Sequence, residues 1–551
     1  LKESASIKTN KAFKTYNWSE REITQVSLGC HVVGAANPHP APDPISILLG
    51  TQKRFLTDTG TASPEVLEKF REFVRNWITA NLVPLSPDTD VSFDTWIDSC
   101  DYPLWRKLEL RKKYDEISYT NNPDYFIVKS FMKDETYGTY KYARGINART
   151  DQFKCIFGPF IKAIEKVLYK LEHFIKKIPV DERPAYLRNM IEQVGVKYFG
   201  TDFTAFEAHF TAKMMEACEF QLYDYMTQYL PQHDWFMELL REVIAGDNVC
   251  EYKFFTVYCE ATRMSGEMNT SLGNGFSNLM FMLFMFAHCG CDIIGIGVEG
   301  DDGVGSAKVN PGGHLPTKED FATLGLNVKL DYYEKLEEAS FCGIVFASED
   351  GRNITDPIAA LLQFGWTTSN YKGCGKRKFK QLLKAKSLSL AFQYPGCPIL
   401  AALARYGLRV TNGVRIGNIL NSRKTSNYER EWMLKIIAEL NLNKQQEKQH
   451  KVMTTPVGMA SRLLVEKLYG ISIEQQIRIE QYLEGLNVIT PLFIENIDLY
   501  ATADAQHYYH HFATDGLMQP ELPDGGWFLP SIEILTKDGL QIVTNAVSFN
   551  T

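Results

Sequence analysis

From Leu279 to Val298 the chain reads LMFMLFMFAHCGCDIIGIGV, twenty residues with Asp292 as the one charged side chain if His288 is neutral. A run this apolar has to leave water. A bilayer-spanning helix needs about 20 such residues, so the length alone fits a membrane span. Asp292 argues against it, because an aspartate at a helix centre costs about 2.5–3.5 kcal/mol on insertion scales. The second half is also β-branched, interrupted by glycine, and leads straight into Gly300-Asp301-Asp302. The run therefore predicts a buried helix, a short turn and a buried strand that ends on an acidic hairpin tip. With 551 residues, 45% of them hydrophobic, the chain can enclose the large core this requires and should form several subdomains.

A lone Gly-Asp-Asp is equally at home in a solvated turn. Two other segments give it meaning. About a hundred residues upstream, VKYFGTDFTAFE ends a strand-like run on Asp202, and between the two lies RMSGEMNTSLGN, Arg263 to Asn274. In this order the three segments describe a nucleotidyl-transfer site. Such chemistry needs in-line attack of a 3′-hydroxyl on an α-phosphate, with two Mg²⁺ ions roughly 3.5–4 Å apart serving the attacking and leaving oxygens. Mg²⁺ takes oxygen ligands and is typically held by one or two carboxylates plus substrate phosphates. Asp202 and Asp301 are the expected metal ligands, and Asp302 a third, outer carboxylate. Mn²⁺ is expected to substitute.

The middle segment has the form S-G-x-x-x-T-x-x-x-N at Ser265, Gly266, Thr270 and Asn274. Here the chain resembles the viral RNA-dependent RNA polymerases of positive-strand RNA viruses, most closely the tombusvirus-like and nodavirus-like replicases, whose signature RMSG-x-MNT-x-LGN it carries. The resemblance implies that Asn274 senses the ribose 2′-OH and that Ser265 lies near the templating base, with Gly266 and Thr270 in the same nucleotide-binding segment. The 2′-OH is what distinguishes RNA from DNA at such a site. One departure stands out. The family's first segment has a second aspartate beside the sugar; here that position is Glu207, which keeps the charge but adds a methylene. On sequence, Glu207 fits equally an exposed position on a following helix that buries Phe206, Phe210, Met214, Ala217 and Cys218.

Weaker likenesses extend from about residue 100 to 485. FATLGLNVKL resembles the fourth polymerase motif and offers Lys329, with Lys335 as rival, as proton donor to pyrophosphate. EEASFCGIVF resembles the primer-grip hairpin, with Cys342 a packed residue rather than a nucleophile. The basic stretch from Tyr125 to Thr150 resembles the fingertip segment: Arg144 and Arg149 are the preferred triphosphate contacts, because a guanidinium fork suits phosphate, and Lys129 and Lys141 flank them. DYPLWRKLELRKKYDE resembles the template-entry segment, with Arg106, Lys107, Arg111, Lys112 and Lys113 near template phosphates. KGCGKRKFKQLLKAK adds seven basic residues and no acidic one, Lys376, Arg377 and Lys378 among them. A net charge of −7 does not exclude nucleic acid, since binding depends on where charges sit.

The resemblance implies an α+β right-hand polymerase with a small antiparallel palm sheet and a mostly helical thumb. Residues 1–100 would brace the fingers, including a charged amphipathic helix from Pro64 to Ala80. Residues 101–193 and 208–262 would form the fingers, 194–207 and 263–346 the palm, and 347–551 the thumb and a C-terminal extension. Expected partners are an RNA template, the product strand and ribonucleoside triphosphates. The chain begins with Leu1, which reads as a piece of a longer polypeptide, so other viral replication proteins, or a membrane held through an N-terminal part, join that expectation. The setting would be membrane-associated replication complexes in the host cytoplasm. Initiation is expected to be de novo, with Trp366, Tyr371 or the Tyr508–Tyr509 pair as stacking candidates. A reverse transcriptase shares paired aspartates but would not need Ser265, Thr270 and Asn274 in this arrangement; a silent RNA-binding scaffold would be expected to lose Asp202 or Asp301. Eleven scattered cysteines without a C-x-x-C pair read as reduced thiols in a cytosolic protein. HCGC, His288 to Cys291, has no second ligand pair at matching spacing, so the sequence does not point to a metal there.

Overall fold

The apolar run resolves as its pattern predicts. Helix Thr270–His288 buries Leu279, Phe281, Met285 and Phe286 almost completely, the chain turns at Cys289-Gly290, and strand Cys291–Glu299 follows. Gly290 has φ +78°, a left-handed value that suits a residue without Cβ. Among the described residues, no helix is long and apolar enough to cross a membrane.

These features come from a computed structural model that describes residues 1–17, 26–33, 39–117, 125–137, 141–180, 182–420, 434, 454–495, 532–536 and 539–543. It is a mixed α+β protein, 48% helix and 16% strand, with small, mostly antiparallel sheets. In chain order the strands used below are β1 (Ser6–Thr9), β2 (Val26–Ser27), β3 (Ile127–Met132), β4 (Gly145–Arg149) and β5 (Lys197–Phe203). They continue with β6 (Asp247–Glu251), β7 (Phe255–Glu260), β8 (Cys291–Glu299), β9 (Asp302–Val309) and β10 (Val328–Tyr333).

The chain divides into two units: residues 1–15, 49–132 and 144–342 form one, and residues 16–48, 133–143 and 343–551 the other. The first hundred residues, expected as one bracing region, are thus shared between the units.

The first unit holds two sheets. A four-stranded antiparallel sheet has the order β10-β5-β9-β8. A five-stranded sheet has the order β1-β7-β6-β3-β4, in which only the β3–β6 pairing is parallel. The core between helix Thr270–His288 and its neighbours is dense in aromatic rings; Phe70 and Phe73 of helix Pro64–Asn81 meet Phe284 at 5.3 and 5.7 Å between centroids. Phe70, Val74 and Ile78 bury one stripe of that helix, as its spacing requires, while Lys69 and Glu65 pair on the open face. Phe206, Phe210, Met214, Ala217 and Cys218 are all buried, but not on one helix. A 3₁₀ turn, Phe206–His209, is followed by helix Ala212–Ala217, whose first-turn N–H of Met214 is capped by the Thr211 side chain.

Among the described residues the second unit is mostly helical. Helices Pro357–Phe364, Lys376–Gln393, Leu400–Val410, Met459–Tyr469 and Ile473–Gly485 pack around Leu361, Leu383, Leu403, Tyr406, Val465 and Leu483. β2 pairs with Trp366–Thr367 in this unit.

Candidate functional site

The β8–β9 hairpin closes on Gly300 and Asp301, with Glu299 paired to Asp302. Gly300 has φ +58°, matching the glycine that two-residue II′ hairpin loops need at their first position. On the neighbouring strand, Thr201 of β5 pairs with Gly303 of β9. Continuing that register by one residue sets Asp202 beside Asp302. The alternating glycines of GDDGVG permit the approach: a Cβ on Gly303 would stand 2.9 Å from Thr201 Oγ1, and one on Gly305 would collide with the Phe199 ring at 2.5 Å.

Helix Thr270–His288 holds this tip from below. Asn278, fully buried, donates its side-chain N–H to the carbonyls of Gly300 (3.2 Å) and Asp302 (3.0 Å). Gly275 leaves room beneath Gly300, whose N lies 3.7 Å from where a Cβ would be. Sequence reasoning passed over Asn278, although it follows Asn274 by one helical turn, a spacing that puts both on the same face.

The acids at the tip are electrostatically crowded. Asp302 is pushed up to about 6, first by desolvation and then by Asp301. Asp301 is raised by desolvation and by Asp202, opposed by its own backbone hydrogen bond and by the guanidinium groups of Arg144 and Arg54. Both residues retain exposed surface, so the crowding lies at the protein surface and not in the core. Glu207 is raised too, first by burial, then by the charge of Asp301, with Arg54 and Arg263 pulling the other way. Asp202, Glu207, Asp301 and Asp302 therefore share one field. Arg54, on the short helical turn Thr51–Phe55, had no signal in the sequence: it is a single arginine in TQKRF.

The Arg263–Asn274 segment borders the same acids through one buried side chain. The Arg263 backbone N–H donates to the Glu207 carbonyl (3.1 Å), and its Nε donates to Asn274 Oδ1 (2.8 Å). Its other nitrogens donate to Glu219 at 2.9 and 2.6 Å, and the guanidinium lies 4.1 Å from the Phe210 ring centroid. Glu219 also accepts from Tyr223 Oη at 2.8 Å. Glu219 was not foreseen, since an acid inside a helix gives no sign of its partner. Ser265 Oγ donates to the Gly145 carbonyl (2.8 Å), Gly266 N donates to the Asn147 carbonyl (3.0 Å), and Thr270 Oγ1 donates to the Met264 carbonyl (2.7 Å). A side chain on Gly266 would strike the β4 backbone, 2.9 Å from Asn147 O. Ser265 is thus tied one residue from Arg144, which itself acts on Asp301.

Several expected contacts need correcting. Arg149 is not available to a triphosphate: it is 5% exposed, ion-paired with buried Glu267, and bonded to the Tyr125 carbonyl (3.0 Å) and Asn248 Oδ1 (2.7 Å). Five residues from Arg144 along an alternating strand, it points into the structure. Arg106 is held by both oxygens of Asp151, at 2.9 and 2.7 Å, and by Glu109. Arg111 pairs with Asp94 (2.7 Å), Lys113 with Glu116 (2.8 Å), and Lys107 donates to the Asp98 carbonyl (3.2 Å), so much of the template-entry helix's charge is locally matched. Lys112 is exposed, as are Lys129, Lys141, Lys376 and Arg377, with Lys378 half-buried. Lys386 from the same basic run is half-buried and donates to the Gln363 carbonyl (2.9 Å). Trp366 is fully buried, which removes it as a base-stacking surface; Tyr508 and Tyr509 lie outside the described residues.

Lys329 sits in β10 directly across from Asp202, its side chain 70% exposed and its ammonium 3.8 Å from Asp331. Cys342 is half-buried, its Sγ 3.8 Å from Glu299, and all eleven cysteines are free thiols. Burial and the acids Asp302 and Glu299 push the Cys342 thiol up, so it is no nucleophile at neutral pH. Glu299 itself is taken by Arg183 at 3.0 Å.

What remains is four carboxylates in the field of Arg54, Arg144 and Arg263, the last already paired with Glu219. Hard donors in excess of local positive charge suit divalent cations of the Mg²⁺ type. No family model matches this chain, and no curated protein matches it.

Proposed function

We propose that the chain is an RNA-directed RNA polymerase of the positive-strand viral type, built as fingers, palm and thumb. The four-stranded sheet with its helix backing corresponds to the palm. The observation that carries the reading is the convergence at one sheet end of Asp202, the Gly-Asp-Asp tip and the Arg263–Asn274 segment. Asp202 and the tip stand about a hundred residues apart in sequence, with the Arg263–Asn274 segment between them. Asp202 and Asp301 would hold two Mg²⁺ ions, with Asp302 outside them. When bound, such ions activate the attacking 3′-hydroxyl and neutralise charge on the leaving pyrophosphate.

The chain's own residues supply the rest. Arg144 and Arg54 offer forks to the triphosphate. Asn274, its Oδ1 fixed by Arg263, has its NH₂ left to donate to the ribose 2′-OH, and Glu207 is the companion acceptor. Lys329, the cross-strand neighbour of Asp202, is the proton donor to pyrophosphate. The reading includes unprimed initiation, for which Tyr371 remains the described stacking candidate.

The test is incorporation of labelled nucleoside triphosphates on an RNA template with a blocked 3′ end, with and without Mg²⁺. Metal-dependent, template-directed ribonucleotide incorporation is expected. Preferential use of deoxynucleotides would favour a reverse transcriptase, and RNA binding without incorporation a silent scaffold. Products retaining a 5′-triphosphate are expected without primer; their appearance only after an oligonucleotide is added would refute de novo initiation.

A further inference from the structure

The other end of the β8–β9 hairpin carries a second constellation that polymerisation does not use. Nine residues of strand at about 3.3 Å each set it roughly 30 Å from the acidic tip. There Cys289, His314 and Asp320 converge, with one ligand-capable atom from each lying within 4.8 Å of the others. They come from three elements: the C-cap of helix Thr270–His288, the loop after β9, and helix Lys318–Ala322.

The approach is built rather than incidental. The His314 N–H donates to the Cys289 carbonyl (2.9 Å), and Asn310 N donates to the Gly290 carbonyl (2.9 Å). Two glycines make this possible: a Cβ on Gly290 would lie 2.9 Å from Gly313 Cα, and one on Gly313 would lie 2.4 Å from Gly290 O. His314 Nε2 meets Asp320 Oδ2 at 2.9 Å. That oxygen also accepts from Thr317 N and Oγ1 at 2.8 and 2.9 Å in a capping box, and a carboxylate has a second oxygen to give. Cys289 is buried while His314 is exposed, so the cluster has a dry sulfur side and a wet imidazole side.

We propose that Cys289, His314 and Asp320 bind one Zn²⁺, with solvent in the fourth position. Thiolate, imidazole and carboxylate together are a zinc donor set. Tetrahedral legs of about 2.0–2.3 Å put ligand atoms roughly 3.3–3.7 Å apart, a spacing within the 4.8 Å that already encloses the three atoms. Binding releases the Cys289 thiol proton to solvent and replaces the S–H bond by S–Zn, with neutral His314 ligating through Nε2. The ion ties the end of the buried helix to the loop that leads into β10, the strand carrying Lys329.

The experiment loads the 551-residue chain with Zn²⁺, removes the excess by gel filtration, and measures retained metal by mass spectrometry. One zinc per chain is expected. His314→Ala, at an exposed position that the fold can spare, should weaken zinc binding by at least about 100-fold, since even losing a partner behind a ligand costs 10–100-fold. His288→Ala, whose ring stacks on Phe284 at 5.3 Å, should change nothing. Co²⁺ in place of zinc should show a thiolate-to-metal charge-transfer band that disappears in Cys289→Ser, with circular dichroism confirming that each variant folds. No retained zinc, equal zinc in wild type and His314→Ala, or a cobalt spectrum without the thiolate band would overturn the proposal. None of these readouts needs nucleotide incorporation, so the test stands apart from the polymerase reading.

Discussion

Within the first unit, two kinds of buried charge lie side by side. Arg263 with Glu219, and Arg149 with Glu267, are matched one to one inside the core, and all three nitrogens of the Arg263 side chain donate to an acceptor. Asp202, Glu207, Asp301 and Asp302 are instead acids gathered against acids, with Arg54 and Arg144 too few to balance them. The first arrangement shapes the fold. The second is a cost the fold carries, and acids crowded against like charges are where catalysis is expected. Matching, rather than burial, separates the charges that shape the fold from those assigned to the proposed site.

The sharpest way to break this comparison is to neutralise one member of each set. Asp202→Asn or Asp301→Asn should abolish nucleotide incorporation while leaving the melting temperature unchanged or slightly raised, because like-charge repulsion is relieved. Wild-type-like turnover in either variant would remove the aspartates from the chemistry.

Glu219→Gln should act in reverse, on stability first. It leaves Arg263 buried without its counter-charge, a loss of about 3–5 kcal/mol that urea unfolding would register. A change below about 1 kcal/mol would mean that water reaches the pair and that it is not the keystone described above.

A smaller effect is expected at the sugar. Asn274→Ala or Glu207→Ala should raise deoxynucleotide use relative to ribonucleotide use, losing about 1–3 kcal/mol of discrimination. An unchanged deoxy/ribo ratio of kcat/KM in both variants would show that another residue reads the 2′-OH.

The smallest effect concerns pH. Asp302, raised to about 6 by desolvation and by Asp301, holds its proton more tightly folded than unfolded. In the metal-free protein the folded state therefore binds more protons than the unfolded chain between about pH 4 and the raised value, and stability falls as pH rises through that window. The fall is modest, since the carboxyl is partly in water. Denaturation midpoints in EDTA should show it, and both Asp302→Asn and added Mg²⁺ should flatten it. A flat profile in the wild type would mean that the acids are not crowded.

Much of this site was legible along the chain. The helix, turn and strand from Thr270 to Glu299 follow from an apolar run that changes period at Cys289-Gly290, and the hairpin tip follows from Gly300. Asp202, Asp301 and Asn274 stand in local patterns whose residue types the proposed chemistry would require. Local steric and solvation preferences act over a few residues, and these features are local.

Tertiary structure alone decided which charges are spoken for. Arg144 and Arg149 look alike in sequence, yet one acts on Asp301 and the other is sealed against Glu267, 118 residues away. Arg106 likewise meets Asp151, and Arg263 meets Glu219, through contacts 45 and 44 residues long. The same holds for Cys289, whose sequence neighbourhood shows no second ligand pair while folding delivers His314 and Asp320 to it. Coulomb attraction and metal ligation act through space over a few ångströms, and only the packed chain sets which groups fall within that reach.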